Sequence, residues 1–291
     1  SYQRVQRMPV ETVSNYSLVH KGLNCHILID RGEKVIATDA LNINFLNLEN
    51  NIEVLAYDAS TIEAVSNGIL AYMLGHDSFL RESLKSVEEL LVWLCGAYIT
   101  THATVPCFKK LKKLSIIRKD HELENFLQRK IDEEIGHDKI VLRDIETLGF
   151  NPKKSTRLIR PELPKSLAIL LSLYARNGDV CKALGYAWVL ERISTFNTTL
   201  CQEIQTITGN VKFPKTLRIH SATGQEANHL KDLIIFFEKR SVSDLRLFWN
   251  GIEEVSHIFL NSKANYDDYG KLKQLPDCRY ELEETHFSYN F

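Results

Sequence analysis

The 291-residue chain is short of the features by which a sequence usually declares its chemistry. No apolar run reaches about 18 residues, the length a membrane-spanning helix needs, and the first residues have no signal-peptide core. The six cysteines, at 25, 95, 107, 181, 201 and 278, include no C-x-x-C pair. That argues against a zinc ribbon and against a disulfide-stapled secreted scaffold. Charge of one sign is lacking too: 36 Lys and Arg against 37 Asp and Glu leave a net charge of −1. No electrostatic footprint for nucleic acid or an anionic membrane follows from that balance. The one basic run, Lys109-Lys110-Leu111-Lys112-Lys113, falls in a helix-like stretch and reads as a solvated face. There is no phosphate-binding glycine loop, no G-x-G-x-x-G after a strand and no G-x-S-x-G elbow. Phosphoryl transfer, ordinary nicotinamide chemistry and α/β-hydrolase chemistry therefore have no support. The expectation is a soluble, cytoplasmic protein with neither a nucleic-acid nor a membrane partner.

What is present divides at about residue 78. NCHILIDRGEKVIATDALNINFLNLENN alternates apolar and polar residues around Arg31-Gly32, which predicts strands joined by a hairpin. From Ser60 the period becomes helical, with Ser60 and Glu63 placed as a capping box. After the breaker-like stretch 75–79 a long helix is predicted, with Pro106 kinking it or ending its first half. Residues 121–149 read as one further helix closed by Gly149. The loop 151–164 follows, then helical segments at 165–177, 179–207, 214–238 and 241–265. There is no internal repeat. The chain is thus expected to be mainly α: a bundle of about six or seven helices over 79–291, behind a small α/β segment over 1–78.

Chemistry-bearing residues fall in three of those segments. In EEIGHDKIVLRDIETLG, helical spacing puts Glu133, Glu134, His137 and Asp144 on one stripe with Ile140 and Val141 among them. In ALGYAWVLERIS, Glu191 shares its face with Leu184, Ala187 and Trp188; a carboxylate buried there needs a cation or a metal. HSATGQEANHLKDLIIFF holds His220, Glu226 and His229. Each alone is an ordinary surface or ion-paired residue. Together, two E-x-x-H pairs and an isolated core Glu are the inventory from which helical bundles build carboxylate-bridged iron or manganese sites.

EEIGHDKIVLRDIETLG resembles the ligand-bearing helix of the haem-oxygenase-like di-iron oxidases and oxygenases. ALGYAWVLERIS is similar to that superfamily's central helix, and ITTHATVPCFKKL to its first core helix. The order is the same, and the likeness covers roughly residues 85–265. The resemblance implies a haem-oxygenase-like helical bundle holding two ferrous ions. Glu134 (alternatively Glu133), His137, Glu191, His220, Glu226 and His229 would be the ligands, with Asp144 behind them orienting a ligand. The superfamily's last-helix motif is H-x-x-x-D-x-x-H. Glu226 and His229 match its second half, with Ala222 where the first His would stand; in the other register His220 matches and Gly224 replaces the Asp. His220 and His229 are nine residues apart, about 180° around an ideal helix, so both serve only if the helix is broken, and Gly224 is where it would break.

The resemblance further implies an O2-dependent oxidase or oxygenase in specialised metabolism, acting on a small amine- or carboxylate-bearing, amino-acid-like molecule. Tyr98, His102, Tyr186 and Trp188 would wall the pocket, and Arg143 or Arg192 would hold a substrate carboxylate. A homodimer and an external reductant are expected. The same scaffold carries thiaminase-like hydrolases, for which Cys95, Cys107 or Cys181 would be the nucleophile, and a non-catalytic binding bundle is a third reading. Residues 1–78 are expected to act as a dimerisation, lid or recognition element; INFLNLENNIEVLAYDASTIEAV faintly resembles the leader-peptide recognition element of peptide-modifying enzymes.

Overall fold

The computed structural model describes residues 16–21, 25–30, 34–39, 57–74, 83–195, 200–210, 213–216, 225–261, 272–274 and 280–282. Contacts divide the chain into two compact units. The first gathers residues 1–81, 179–196 and 226–261; the second gathers 82–178, 197–225 and 262–291.

In the first unit, strands β1 (Tyr16–Lys21), β2 (Cys25–Asp30) and β3 (Lys34–Asp39) form an antiparallel meander. The β2–β3 pairing runs from Cys25 opposite Asp39 to Asp30 opposite Lys34, which is the hairpin expected around Arg31-Gly32. Helix α1 (Ala59–Leu74) packs on β2 and β3. Its cap is Asp58 rather than the expected Ser60: the Asp58 carboxylate accepts from Thr61 N at 2.8 Å and from the Ser60 hydroxyl at 3.2 Å. The capping acceptor is thus a carboxylate two residues before the expected serine.

Three more helices complete this unit: α7 (Val180–Ser194), α9 (Gln225–Glu238) and α10 (Val242–Asn261). α7 and α10 cross in backbone contact. A Cβ on Gly185 would overlap the Phe248 carbonyl oxygen, and a Cβ on Gly251 would overlap that of Lys182. Each helix thus supplies a glycine to the other's backbone. Phe237 of α9 stacks on Phe248 of α10 with centroids 4.2 Å apart. Buried Trp249 donates from Nε1 to Ser66 Oγ of α1 at 3.2 Å, and Ser66 in turn donates to Ile62 O at 2.8 Å, so this seam's polar atoms are satisfied.

The second unit is built on α2 (Val87–Ile117), against which α3 (His121–Glu134), α4 (His137–Thr147), α5 (Pro152–Leu158), α6 (Glu162–Asn177) and α8 (Leu200–Thr208) all pack. A two-stranded antiparallel ribbon, β4 (Leu272–Gln274) with β5 (Tyr280–Leu282), belongs to it. Ser86 caps α2 by accepting from Glu89 N, while the Glu89 carboxylate reaches back to Lys85 N at 2.6 Å. The helix continues through Pro106 instead of ending there. Among the described helices α2 alone is long and apolar enough to cross a membrane, by length and composition; its Leu90, Leu91, Leu94 and Cys95 lie in this unit's core with Val141, Ile145, Phe150 and Leu200.

Two predicted helices are divided. Residues 121–149 form α3 and α4, because Gly136 takes a left-handed backbone (φ 90°) that ends one helix and opens the next. Open space surrounds the position of its missing Cβ, so backbone angle, and not crowding, calls for glycine. The segment 179–207 likewise holds two helices, α7 ending at Ser194 and α8 beginning at Leu200. Gly149 closes α4 as expected, with φ 96° and its N–H donating to Glu146 O. Nine helices are present among the described residues of 79–291, against the six or seven expected there, because of these divisions and of the short α5.

Candidate metal centre

The stripe proposed for a single helix is split by Gly136, yet its central pair survives the break. Glu134 is the last residue of α3 and His137 the first of α4. His137 Nδ1 stands 3.1 Å from Glu134 Oε2, with both side chains mostly buried. Glu133 is held differently: its Oε2 lies 2.8 Å from Nζ of Lys130, a lysine that is itself buried. Of the two adjacent carboxylates, Glu134 is hydrogen-bonded to His137 and Glu133 to Lys130.

A second pair forms in the first unit. His229 of α9 places Nδ1 3.2 Å from Oε1 of Glu191 on α7. Their side chains are 14% and 13% exposed, almost the same as the 14% and 17% of His137 and Glu134. Glu191 thus resolves its position on an apolar stripe by meeting an imidazole. His220 lies outside the described residues, and Glu226 is described only as a backbone position in the first turn of α9.

The remaining expectations are placed as follows. Asp144 is buried, and its carboxylate accepts from Lys215 N at 3.0 Å, from Thr216 N at 2.8 Å and from the Thr216 hydroxyl. Those three bonds tie α4 to residues 215–216, so the Asp144 carboxylate is engaged there, away in sequence from His137, the neighbour its helical spacing suggested. His102 is exposed: it stacks on Tyr98 with ring centroids 5.0 Å apart, and its Nδ1 lies 3.0 Å from Asp138 Oδ2. Asp138, absent from the sequence-derived set, had only its place in the first turn of α4 to mark it. Tyr186 and Trp188 are fully buried in α7, where Trp188 meets Phe248 edge-on at 6.5 Å. Arg192 donates from Nε to Asn67 Oδ1 at 3.0 Å, and Arg143 is exposed.

What these pairs can do follows from their donors. A neutral imidazole that donates Nδ1–H to a carboxylate carries its lone pair on Nε2, the arrangement that orients a metal-binding histidine. The distances also suit direct ligation by both groups, since two neighbouring ligands each about 2.1 Å from one ion stand about 3 Å apart. Oxygen and imidazole nitrogen without thiolate match iron, manganese or zinc in preference to copper(I) or an iron–sulfur cluster. The donor chemistry therefore fits a ferrous ion. The donor number is two per pair: among the described residues no three His, Cys, Asp or Glu side chains come together.

The thiols are placed unlike nucleophiles. Cys95 is fully buried, and desolvation pushes its thiol up to about 12. Burial also raises Cys107, against a smaller opposing effect of the Ser172 hydroxyl and the Lys110 ammonium. Cys181, buried at the start of α7, donates its S–H to Asp244 Oδ1, 3.7 Å away.

With this geometry in hand, the fold has known counterparts. A domain of unknown function with a haem oxygenase-like fold from Shewanella denitrificans OS217 superposes with a TM-score of 0.55 and 18% identity, covering 70% of this chain and 89% of that one. A TenA homolog from Pseudomonas syringae pv. tomato strain DC3000 superposes with a TM-score of 0.54 and 12% identity, covering 72% and 96% respectively. No protein-family model matches the chain, and no curated protein does. The fold is the haem-oxygenase-like helical bundle, with a small α/β segment in front.

Proposed function

We propose that this protein is a non-haem, O2-dependent iron oxidase or oxygenase, with one ferrous ion assigned to the Glu134–His137 pair and one to the Glu191–His229 pair. The observation that carries the reading is the second pair. Glu134 and His137 meet through local spacing, whereas Glu191 and His229 come from different helices and are brought together by the fold. A mostly buried carboxylate set against a histidine on an apolar stripe is costly to keep unless the charge is used. His220 and Glu226 are the further ligands this reading needs, and Glu133 the alternate to Glu134.

Ferrous iron, when bound, supplies the electrons that activate O2. The chain's own part is to orient each imidazole through its carboxylate, to shield the pairs from bulk water and to keep the ligand set free of thiols. The substrate we assign is a small amine- or carboxylate-bearing molecule of amino-acid type, with an external reductant, a homodimeric assembly and a cytoplasmic setting. Residues 1–78 are assigned a lid, dimerisation or recognition role, which deletion of residues 1–75 followed by sizing of the product would test.

The rival on this scaffold is a metal-free, thiaminase-like hydrolase, favoured by the similarity to a TenA homolog. It is weakened by the three thiols that could serve it, of which Cys95 and Cys107 have raised pKa values and Cys181 faces a carboxylate. One experiment separates the readings. Apo-protein is loaded anaerobically with ferrous iron, bound equivalents are counted, and O2 uptake is followed on mixing with oxygenated buffer. Two equivalents and O2 uptake are expected for the wild type, with one equivalent each for His137→Ala and His229→Ala. No bound iron in the wild type would overturn the proposal.

A further inference from the structure

Exposed aliphatic side chains are ordinary when single. In the second unit they are not single. α2 and α6 lie side by side and parallel: Gly96 faces Pro164, Cys107 Sγ is 3.8 Å from Ser172 Oγ, and Arg118 Nη1 reaches Gly178 O at 3.5 Å. The outward stripe of α2 carries Lys109, Lys110 and Lys113 and then Ile116 and Ile117, the last of these 75% exposed. The outward stripe of α6 carries Ile169, Leu173 and Arg176, spaced i, i+4, i+7, all exposed. Ser172 and the Lys110 ammonium both act on the Cys107 thiol, which marks the seam where the two stripes meet.

The charge there is one-sided. Six Lys or Arg and no Asp or Glu occur from Val105 to Lys119, in a chain whose net charge is −1. Lys112 is turned inward to Gln128 and Glu124, which leaves Lys109, Lys110, Lys113, Arg118 and Lys119 on the outside. The bland reading of the basic run as a solvated face accounts for the lysines. It leaves unexplained why isoleucines and a leucine are set among them.

We propose that this α2–α6 surface docks a protein partner that presents an acidic surface with apolar side chains at its centre. Apolar residues inside a charged rim are the usual anatomy of a protein interface, and a rim of one sign selects a partner of the other. An anionic membrane is the weaker fit: the large exposed apolar residues here are all Ile or Leu, whereas helices that lie in a bilayer surface anchor themselves with Trp and Phe as well. A second copy using the same face would set lysines against lysines. The inference stands independently of the iron reading.

The test measures binding of the full chain to three immobilised probes: poly-L-glutamate, a peptide of alternating glutamate and leucine, and vesicles of phosphatidylcholine with phosphatidylserine. The wild type is expected to prefer the glutamate–leucine peptide and to lose about tenfold or more of that affinity between low and high salt. Lys109→Glu/Lys110→Glu/Lys113→Glu is expected to weaken binding to both peptides by about tenfold. Ile116→Ser/Ile117→Ser is expected to abolish the preference for the leucine-containing peptide while leaving poly-L-glutamate binding within about twofold. Reversal of three charges elsewhere in the unit, Lys153→Glu/Arg157→Glu/Arg160→Glu, serves as the control and is expected to change nothing beyond about twofold. An equal loss in that control overturns the proposal. So does tighter binding to the vesicles, or self-association that the lysine reversal abolishes, and the salt response of the wild type decides the matter should a variant fail to fold.

Discussion

Glu191 and His229 are 38 residues apart and on different helices, yet Oε1 of one lies 3.2 Å from Nδ1 of the other. Helical periodicity cannot generate such a contact. It depends on where α9 lies relative to α7, which is fixed through α10: Gly185 and Gly251 let α7 and α10 touch, and Phe237 seats α9 on Phe248. If the pair serves a metal, Glu191→Gln keeps the shape and a hydrogen bond but removes the charge. Ferrous affinity at this pair is then expected to fall about 10–100-fold, with the Glu134–His137 equivalent retained. Anaerobic iron titration reads both numbers, and an unchanged affinity would remove Glu191 from the site.

The glycine crossing makes its own prediction. Gly185→Ala and Gly251→Ala each push a methyl group into the partner helix's backbone, which has no flexible end to move aside. Each is expected to cost about 1–3 kcal/mol, as overpacking does, and to lower Tm by several degrees. A melt of Gly136→Ala gives the contrast, since its cost comes from the left-handed backbone and not from space. Equal stability of Gly185→Ala and wild type would show that the helices can separate freely.

The sequence carried the helical class, the front hairpin and the Gly149 stop, because those depend on local period and turn residues. It misplaced what tertiary contact decides. Gly136 sits inside a strong helical pattern and could be read as tolerated; only its φ of 90° makes it a break. Asp144 shares the His137 stripe by spacing, but its carboxylate goes to Lys215 and Thr216, 71 and 72 residues on, which no periodicity foretells. Conversely, Glu134–His137 was legible, since an i, i+3 pair meets whether or not the helix bends between them.

Asp144 is expected to matter more for stability than for ligand binding. Asp144→Ala strips the charged acceptor from two backbone N–H groups and a hydroxyl in a buried place. About 2–3 kcal/mol is the expected loss, with Asp144→Asn intermediate because one amide oxygen remains. Denaturant unfolding measures it. A full-strength protein with altered iron stoichiometry would instead return Asp144 to the ligand-orienting role its spacing suggested.

Alkaline pH provides the last test, through Cys95. Its thiol is pushed from about 9 in the open chain up to about 12 by burial, so the folded state holds the proton more tightly than the unfolded one. The stability this contributes is full below about pH 9 and is lost progressively as pH rises toward about 12, because the unfolded chain ionises first. Burial raises Tyr57 and Tyr98 in the same direction, opposed at Tyr57 by Arg246 and reinforced at Tyr98 by Asp138. Unfolding midpoints are therefore expected to fall between about pH 8 and about pH 10.5, and to fall less steeply in Cys95→Ala, whatever that variant's own stability. Alkylation completes the measurement: at about pH 8 exposed Cys201 is expected to label in the folded protein and Cys95 only after unfolding. Rapid labelling of Cys95 in the folded state would contradict the buried, protonated thiol, and with it one of the observations that favour iron chemistry over a thiol nucleophile.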